Sequence, residues 1–288
     1  MVKRRPCNHH ALGAGCTSEM EFFMETDGKD PIPSKEAVRA AWVLYDDIRK
    51  CFPPAVADFE SRWSSWHALC ESKASSDGDG NIDPCVESAE YAAIKRLGPK
   101  IVPMLVHKLA IDSNQNSHGV FLYKALENDP LYQVAMEEPI GSRDDVRRYA
   151  DGIVQINYER HKIYETRVGA WHTHCQENTN MSNYRIFTEC DEFDDLLDMG
   201  TSILARLMVE YYNNQGGWWW ELMHEIIHGR KTYALEFRKP VLYEACEKWF
   251  NEGEYDQAPE YILSDLERHV YGPSGPKVYP RYHREDRR

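Results

Sequence analysis

The residues with the clearest chemical capacity are His224-Glu225-Ile226-Ile227-His228. On a helix turning about 100° per residue, His228 falls about 40° from His224, one turn on, so both imidazoles leave the same face. Two neutral imidazoles at that spacing can hold a divalent metal. A carboxylate between them can take a proton from metal-bound water, which is the chemistry of a zinc hydrolase. Without a metal the same residues can carry acid–base catalysis, with His224 donating or accepting a proton and Glu225 or Glu221 orienting it. Trp219, Leu222, Met223, Ile226 and Ile227 fill a contiguous apolar arc beside the histidines, bordered by Trp220 and Glu221. The helix is therefore expected to bury one side and to carry two histidines and an acid at the edge of that side.

A zinc site needs a third protein ligand. Eighteen residues separate His228 from Glu247, the interval found in aminopeptidase-like zincins, and Glu247 lies in the helical pattern Tyr243-Glu244-Ala245-Cys246-Glu247-Lys248-Trp249. The resemblance to those zincins stops at the spacing. Glu247 follows Cys246 where they carry Asn, and their active-site strand has no counterpart. The two Glu-x-x-His units, Glu221–His224 and Glu225–His228, do not make a di-iron bundle, because no second helix offers another such unit. Cofactor-free acid–base chemistry is the preferred reading. Zinc held by His224, His228 and Glu247 is its rival, and a non-catalytic binding module of the HEAT type is the third.

Trp218, Trp219 and Trp220 stand about 100° apart on a helix and cannot all face one side. At least one is expected near a cavity or the surface, where a pocket lined with Trp and Tyr would take a hydrophobic, partly unsaturated small molecule. Trp171-His172-Thr173-His174-Cys175 gathers two imidazoles and a thiol but has no matching pair elsewhere in the sequence. It reads as a helix C-terminus, where the dipole favours cationic histidines. Cys7-Asn8-His9-His10 with Cys16 reads as part of an irregular arm. Asp191-Glu192-Phe193-Asp194-Asp195 reads as the acidic first turn of a helix. There is no glycine-rich dinucleotide fingerprint, phosphate loop or Gly-x-Ser-x-Gly elbow.

The elements that must position these residues are helices. Strand-like alternation is nearly absent, and the pattern predicts an all-α chain, a single helical domain of about eight to ten helices. Ser34 is placed to cap a first helix. Phe59, Trp63, Trp66 and Leu69 form the stripe of a second, which begins after Pro53-Pro54. Ile101, Leu105 and Leu109 share a face, and Val120–Leu126 reads as their partner in a HEAT-like hairpin. Ser142-Arg143-Asp144-Asp145 opens a long helix to about Gly169. Asp191–Tyr212 reads as one helix broken at Gln215-Gly216-Gly217, followed by Trp218–Arg230, Val241–Asn251 and Pro259–Val270. Tyr184–Thr188 reads as a short extended piece, and Asp77–Asn81 as a surface loop. The domain plan is an irregular arm over 1–33, a helical domain over 34–272 and a basic tail over 273–288.

The bulk properties narrow the function further. The 288 residues carry a formal net charge of −13, which argues against nucleic acid as the main partner and against an anionic membrane surface. No apolar run approaches the ~20 residues needed to span a bilayer, and no hydrophobic stretch follows the basic N-terminus, so a secretory signal is not expected. The eight cysteines are scattered, as expected of reduced thiols in a cytoplasmic protein. Oligomeric state has no signature in the sequence.

Two blocks resemble a group of uncharacterised filamentous-fungal helical proteins: Leu97-Gly98-Pro99-Lys100-Ile101-Val102-Pro103, running on to Leu109, and Trp220-Glu221-Leu222-Met223-His224-Glu225-Ile226-Ile227-His228-Gly229-Arg230-Lys231. The resemblance implies a fungal cytosolic enzyme of specialised metabolism. The expected activity is a cofactor-independent cyclisation or isomerisation of a hydrophobic small molecule.

Overall fold

The computed structural model describes residues 33–76, 85–133, 143–181, 184–232 and 238–260, all within one unit, Ile32–Arg288. Ten α-helices and no strand occur among the described residues. The expected arm, apart from Pro33, lies outside them, as do the basic tail, the loop at Asp77–Asn81 and most of the helix expected over Pro259–Val270.

Local chemistry sets the first elements. Helix α1, Lys35–Cys51, begins where the Ser34 hydroxyl accepts the Ala37 N–H at 3.1 Å, satisfying one of the free donors of its first turn. Helix α2, Pro53–Ser76, buries Phe59, Trp63 and Trp66 on one face. Helix α3, Ala89–Lys95, leads through a 3₁₀ turn, Gly98–Ile101, into α4, Val102–Ile111. Helix α4 is buried nearly all round: Val102, Met104, Leu105, Val106, His107 and Leu109 are all in the core. It packs on α5 (Gly119–Leu126), as the expected pair, and also on α1 and on α6 (Arg143–Glu177). That second set of neighbours makes α4 the centre of one core instead of one layer of a repeat.

The Leu97–Pro103 block has a packing role. Gly98 sits at φ +72°, and a Cβ there would come within 2.4 Å of the Tyr255 Cβ, so only glycine fits. Lys100 is buried, and its ammonium donates to the carbonyls of Trp249, Phe250 and Gly253 at 3.0, 3.0 and 2.6 Å. It thereby closes the C-terminus of the last helix described, α10 (Lys239–Glu252), where the dipole favours a cation. Arg160 and Glu127 form a second buried polar contact at 2.6 Å, which the Ser202 hydroxyl joins by donating to Glu127 at 2.7 Å.

Three boundaries differ from the sequence reading. Helix α6 runs past Gly169 to Glu177, because Trp171 is buried and holds the continuation on the core. The stretch Asp191–Tyr212 forms two helices, α7 (Asp191–Leu197) and α8 (Leu204–Asn213), parted where Gly200 takes φ +70° before a 3₁₀ turn, Thr201–Ile203. Tyr184–Phe187 is a 3₁₀ turn instead of an extended piece. No helix among the described residues is long and apolar enough to cross a membrane.

Candidate functional site

Helix α9, Trp219–His228, carries the His-Glu-x-x-His residues and ends at Gly229, whose φ of +66° and N–H bond to the Glu225 carbonyl make a left-handed cap. The two imidazoles do share a face, with ring centroids 4.6 Å apart. That face runs from the core at His224 to a half-buried edge at His228. His224 is 2% exposed, and its Nδ1 lies 3.1 Å from the Arg230 carbonyl. A carbonyl only accepts, so the ring donates from Nδ1. Its Nε2 is buried with no hydrogen-bond partner. Burial first, then neighbouring His228, pulls its pKa down to about 4. His228 donates from Nε2 to the Pro259 carbonyl at 3.2 Å. Both rings are thus tied to the backbone that follows the helix.

Glu247, on α10, accepts a hydrogen bond from the Tyr243 hydroxyl one turn away at 3.1 Å. The structure does not bring Glu247 together with His224 and His228 as a ligand set. Among the described residues, one set of three His, Cys, Asp or Glu side chains has its donor atoms all within 4.8 Å of one another, and it is His174, Cys190 and Glu192. Glu225 is half-buried. Burial pushes its carboxyl up to about 7; Lys231 opposes that, and Asp194 and Glu189 reinforce it. Glu221 is buried, as is Trp220, whose ring lies 5.4 Å from His224.

The other two tryptophans point elsewhere, as 100° steps demand. Trp218 and Trp219 line a half-open cleft of about 350 Å³ together with Trp171, His172 and Cys175 from the end of α6, Phe187, and Lys239 at the start of α10. Trp219 meets Trp171 edge-to-face at 5.1 Å and His172 at 5.4 Å; the Trp–Trp pair adds about 0.5–1.5 kcal/mol beyond burial. Its Nε1 has no hydrogen-bond partner among the described residues. Gly217 is required there, since a Cβ would fall 2.7 Å from that nitrogen. Trp218 stacks on Phe187 at 5.3 Å, and the Lys239 ammonium lies over the Trp218 ring at 4.0 Å. The Trp171 indole donates to the Phe187 carbonyl at 2.8 Å, so the wall carrying Phe187 is fixed to α6.

Two other openings suit a ligand less well. A cleft of about 320 Å³ is lined by mixed charges, the carboxylates of Glu36, Asp47, Glu165 and Glu210 with Arg39 and Arg206. A space of about 20 Å³ beside Arg160 has room for a water molecule and little more. The residues that sequence reasoning placed at the substrate therefore divide. Trp218 and Trp219 line the aromatic cleft, whereas Trp220, Glu221 and His224 face the core and Glu225 faces Lys231. His172, Phe187 and Lys239 join the cleft from three separate stretches of chain. Of these only His172 had been noticed as a chemically capable residue. Comparison of the chain with protein families, with curated proteins and with solved structures gives no match.

Proposed function

We propose that this chain binds a hydrophobic, partly unsaturated small molecule between Trp218, Trp219 and Trp171 and rearranges it by proton transfer. The observation that carries the reading is the cleft itself, about 350 Å³ with Trp171, Phe187, Trp218 and Trp219 in its lining, within the size range of small-molecule sites. Indole faces favour flat or polyunsaturated carbon skeletons. His172 is the titratable ring on the cleft wall and is the proton-transfer group in this reading. It takes the role first given to His224, whose Nδ1 is engaged by the Arg230 carbonyl inside the core. The reaction class is cyclisation or isomerisation that needs no cofactor, and the setting is fungal specialised metabolism.

The test has two stages. Tryptophan fluorescence of the full chain should be quenched saturably by a planar apolar probe such as anilinonaphthalene sulfonate or by a linear polyene. Trp218→Ala should weaken that binding about tenfold, or ~1.4 kcal/mol. Binding that ignores both Trp218→Ala and His172→Ala would remove the cleft from consideration. The chain should then convert a bound metabolite into a product of unchanged mass and altered chromatographic mobility. His172→Phe should keep the binding and lose the conversion. A product of changed mass would eliminate the cyclase or isomerase class.

A further inference from the structure

The end of α6 and the start of α7 bring together an imidazole, His174, with a thiol and a carboxylate, Cys190 and Glu192, that follow it sixteen and eighteen residues later. His174 Nε2 is 2.9 Å from the Ile186 carbonyl. Since that oxygen only accepts, the ring carries a proton on Nε2. Its Nδ1 faces Glu192 Oε2 at 3.4 Å. In the neutral ring these are two acceptors turned on each other, an arrangement that calls for a positive charge between them. A proton on Nδ1 meets that need as an ion pair; a metal ion meets it too and also takes in a third group, the Cys190 thiol, which lies 3.9 Å from the Phe187 carbonyl and beside the Glu192 carboxylate. Cys190 Sγ completes a triangle in which every donor atom lies within 4.8 Å of the others. Ligands about 2.0–2.3 Å from a shared zinc ion lie roughly 3.3–3.8 Å apart, so small side-chain rotations suffice to close the set.

We propose that His174, Cys190 and Glu192 bind a divalent transition metal, zinc by their chemistry, and that the ion clips the end of α6 to the start of α7. Nitrogen, sulfur and carboxylate oxygen together form a borderline-soft set that suits zinc better than calcium or magnesium. The Nε2–Ile186 contact is the outer hydrogen bond that metal-bound imidazoles carry, fixing which nitrogen faces the ion. All three side chains are half-buried, which shields the ion from competing water. On binding, the Cys190 thiol releases its proton to solvent and its sulfur bonds the metal with no change of oxidation state, so affinity falls as pH falls. The clip would hold the segment whose Phe187 forms one wall of the aromatic cleft. It is a structural role, independent of what the cleft binds.

The test uses the full chain, stripped with a chelator and titrated with Co²⁺ and then Zn²⁺. About one equivalent of Co²⁺ should give thiolate-to-cobalt charge transfer and the visible bands of a four-coordinate ion. Cys190→Ser should abolish the charge-transfer band, with helical circular dichroism confirming that the variant folds. Glu192→Gln should weaken zinc by more than the ~10–100-fold lost when an outer-shell partner is removed. Zinc should raise the melting temperature of the parent chain and not that of Cys190→Ser. A band that survives Cys190→Ser, one that disappears in a Cys7→Ser/Cys16→Ser variant, or no metal-dependent signal at all would overturn the site. Fluorescence quenching at the cleft is read separately, so a negative metal result with intact Trp218-dependent quenching refutes this site alone.

Discussion

Helix α9 and the corner where α6 meets α7 make an instructive pair. The first holds its chemically capable residues within five positions; the fold buries His224, leaves Glu225 and His228 half-buried, and has both imidazoles donate to backbone carbonyls, those of Arg230 and Pro259. The second draws His172, His174, Cys190, Glu192 and Lys239 from three stretches of chain, and the fold leaves them half-open or beside a cleft. Spacing along a helix fixes which side chains share a face. Whether that face meets solvent or the core depends on what packs over it, and here α7, α8 and α10 all pack on α9. A motif is therefore a statement about relative direction, and access is a separate property.

The strongest way to break this comparison is His224→Ala. If the ring is a core element, its removal leaves a cavity and an unpaired Arg230 carbonyl, and urea unfolding should show a loss of about 2–4 kcal/mol. Probe binding at the cleft should be unchanged. The opposite result, intact stability with lost ligand binding, would return His224 to the site and erase the distinction between the two regions. Trp218→Ala should show the reverse pattern, costing no more than about 1 kcal/mol of stability because the ring is only half-buried, while weakening the ligand.

Much of the fold was readable in advance, for reasons particular residues make plain. Ser34 caps α1 because its hydroxyl needs only the local turn. Phe59, Trp63 and Trp66 mark α2 because one helix face meets one core. The split at Gly200 was hidden, since Phe193 and Leu196 before it and Leu204, Leu207 and Met208 after it bury into the same core, and the apolar stripe continues across the break. Gly169 was a false stop because Trp171 beyond it packs on Phe193 and Trp219 and holds the continuing helix on the core. At the site, the divergence of the three tryptophans followed from helical angles alone. The partnership of His174 with Cys190 and Glu192 did not, because it depends on the chain reversing after Glu177 and on Ile186 orienting the ring. The acidic run at Asp191–Asp195 looked complete as a helix first turn, which concealed the contact of Glu192 with His174.

Glu225 sharpens the same contrast through pH. Its carboxyl titrates near 4.5 when unfolded and is raised to about 7 in the fold by burial, against Lys231 and with Asp194 and Glu189. Between those values the native state holds the extra proton, so this residue's contribution to stability declines as pH rises from about 4.5 to 7. Glu225→Gln should flatten that slope and be more stable than the parent at pH 8 by about 1–2 kcal/mol, once solvent screening at a half-buried group is allowed for. His224 acts with the opposite sign. Its pKa falls from 6.5 to about 4, so stability is lost as pH drops from 6.5 towards 4, and His224→Gln should remove that acid-side loss. Urea midpoints measured across pH 4–8 separate the two. A Glu225→Gln variant with the parent's pH slope would show that the carboxylate is well solvated, and α9 would then be more open than the comparison allows.

The smallest expected effect tests the open corner. Gly169 lies in the exposed face of α6, three residues before His172, and a Cβ there meets nothing within 4 Å. Gly169→Ala should therefore raise stability by about 0.5–1 kcal/mol, because alanine has less freedom to lose in the helix. Gly229→Ala, at φ +66° on the cap of α9, should lower it by a similar amount. The two glycines thus respond with opposite sign to one and the same substitution, α6 because its continuation past Gly169 is already helical and α9 because its end must turn left-handed to close. If Gly169→Ala destabilises instead, α6 bends at that residue. His172 and His174 would then sit on a separate short helix, whose orientation the clip at Cys190 and Glu192 would have to set.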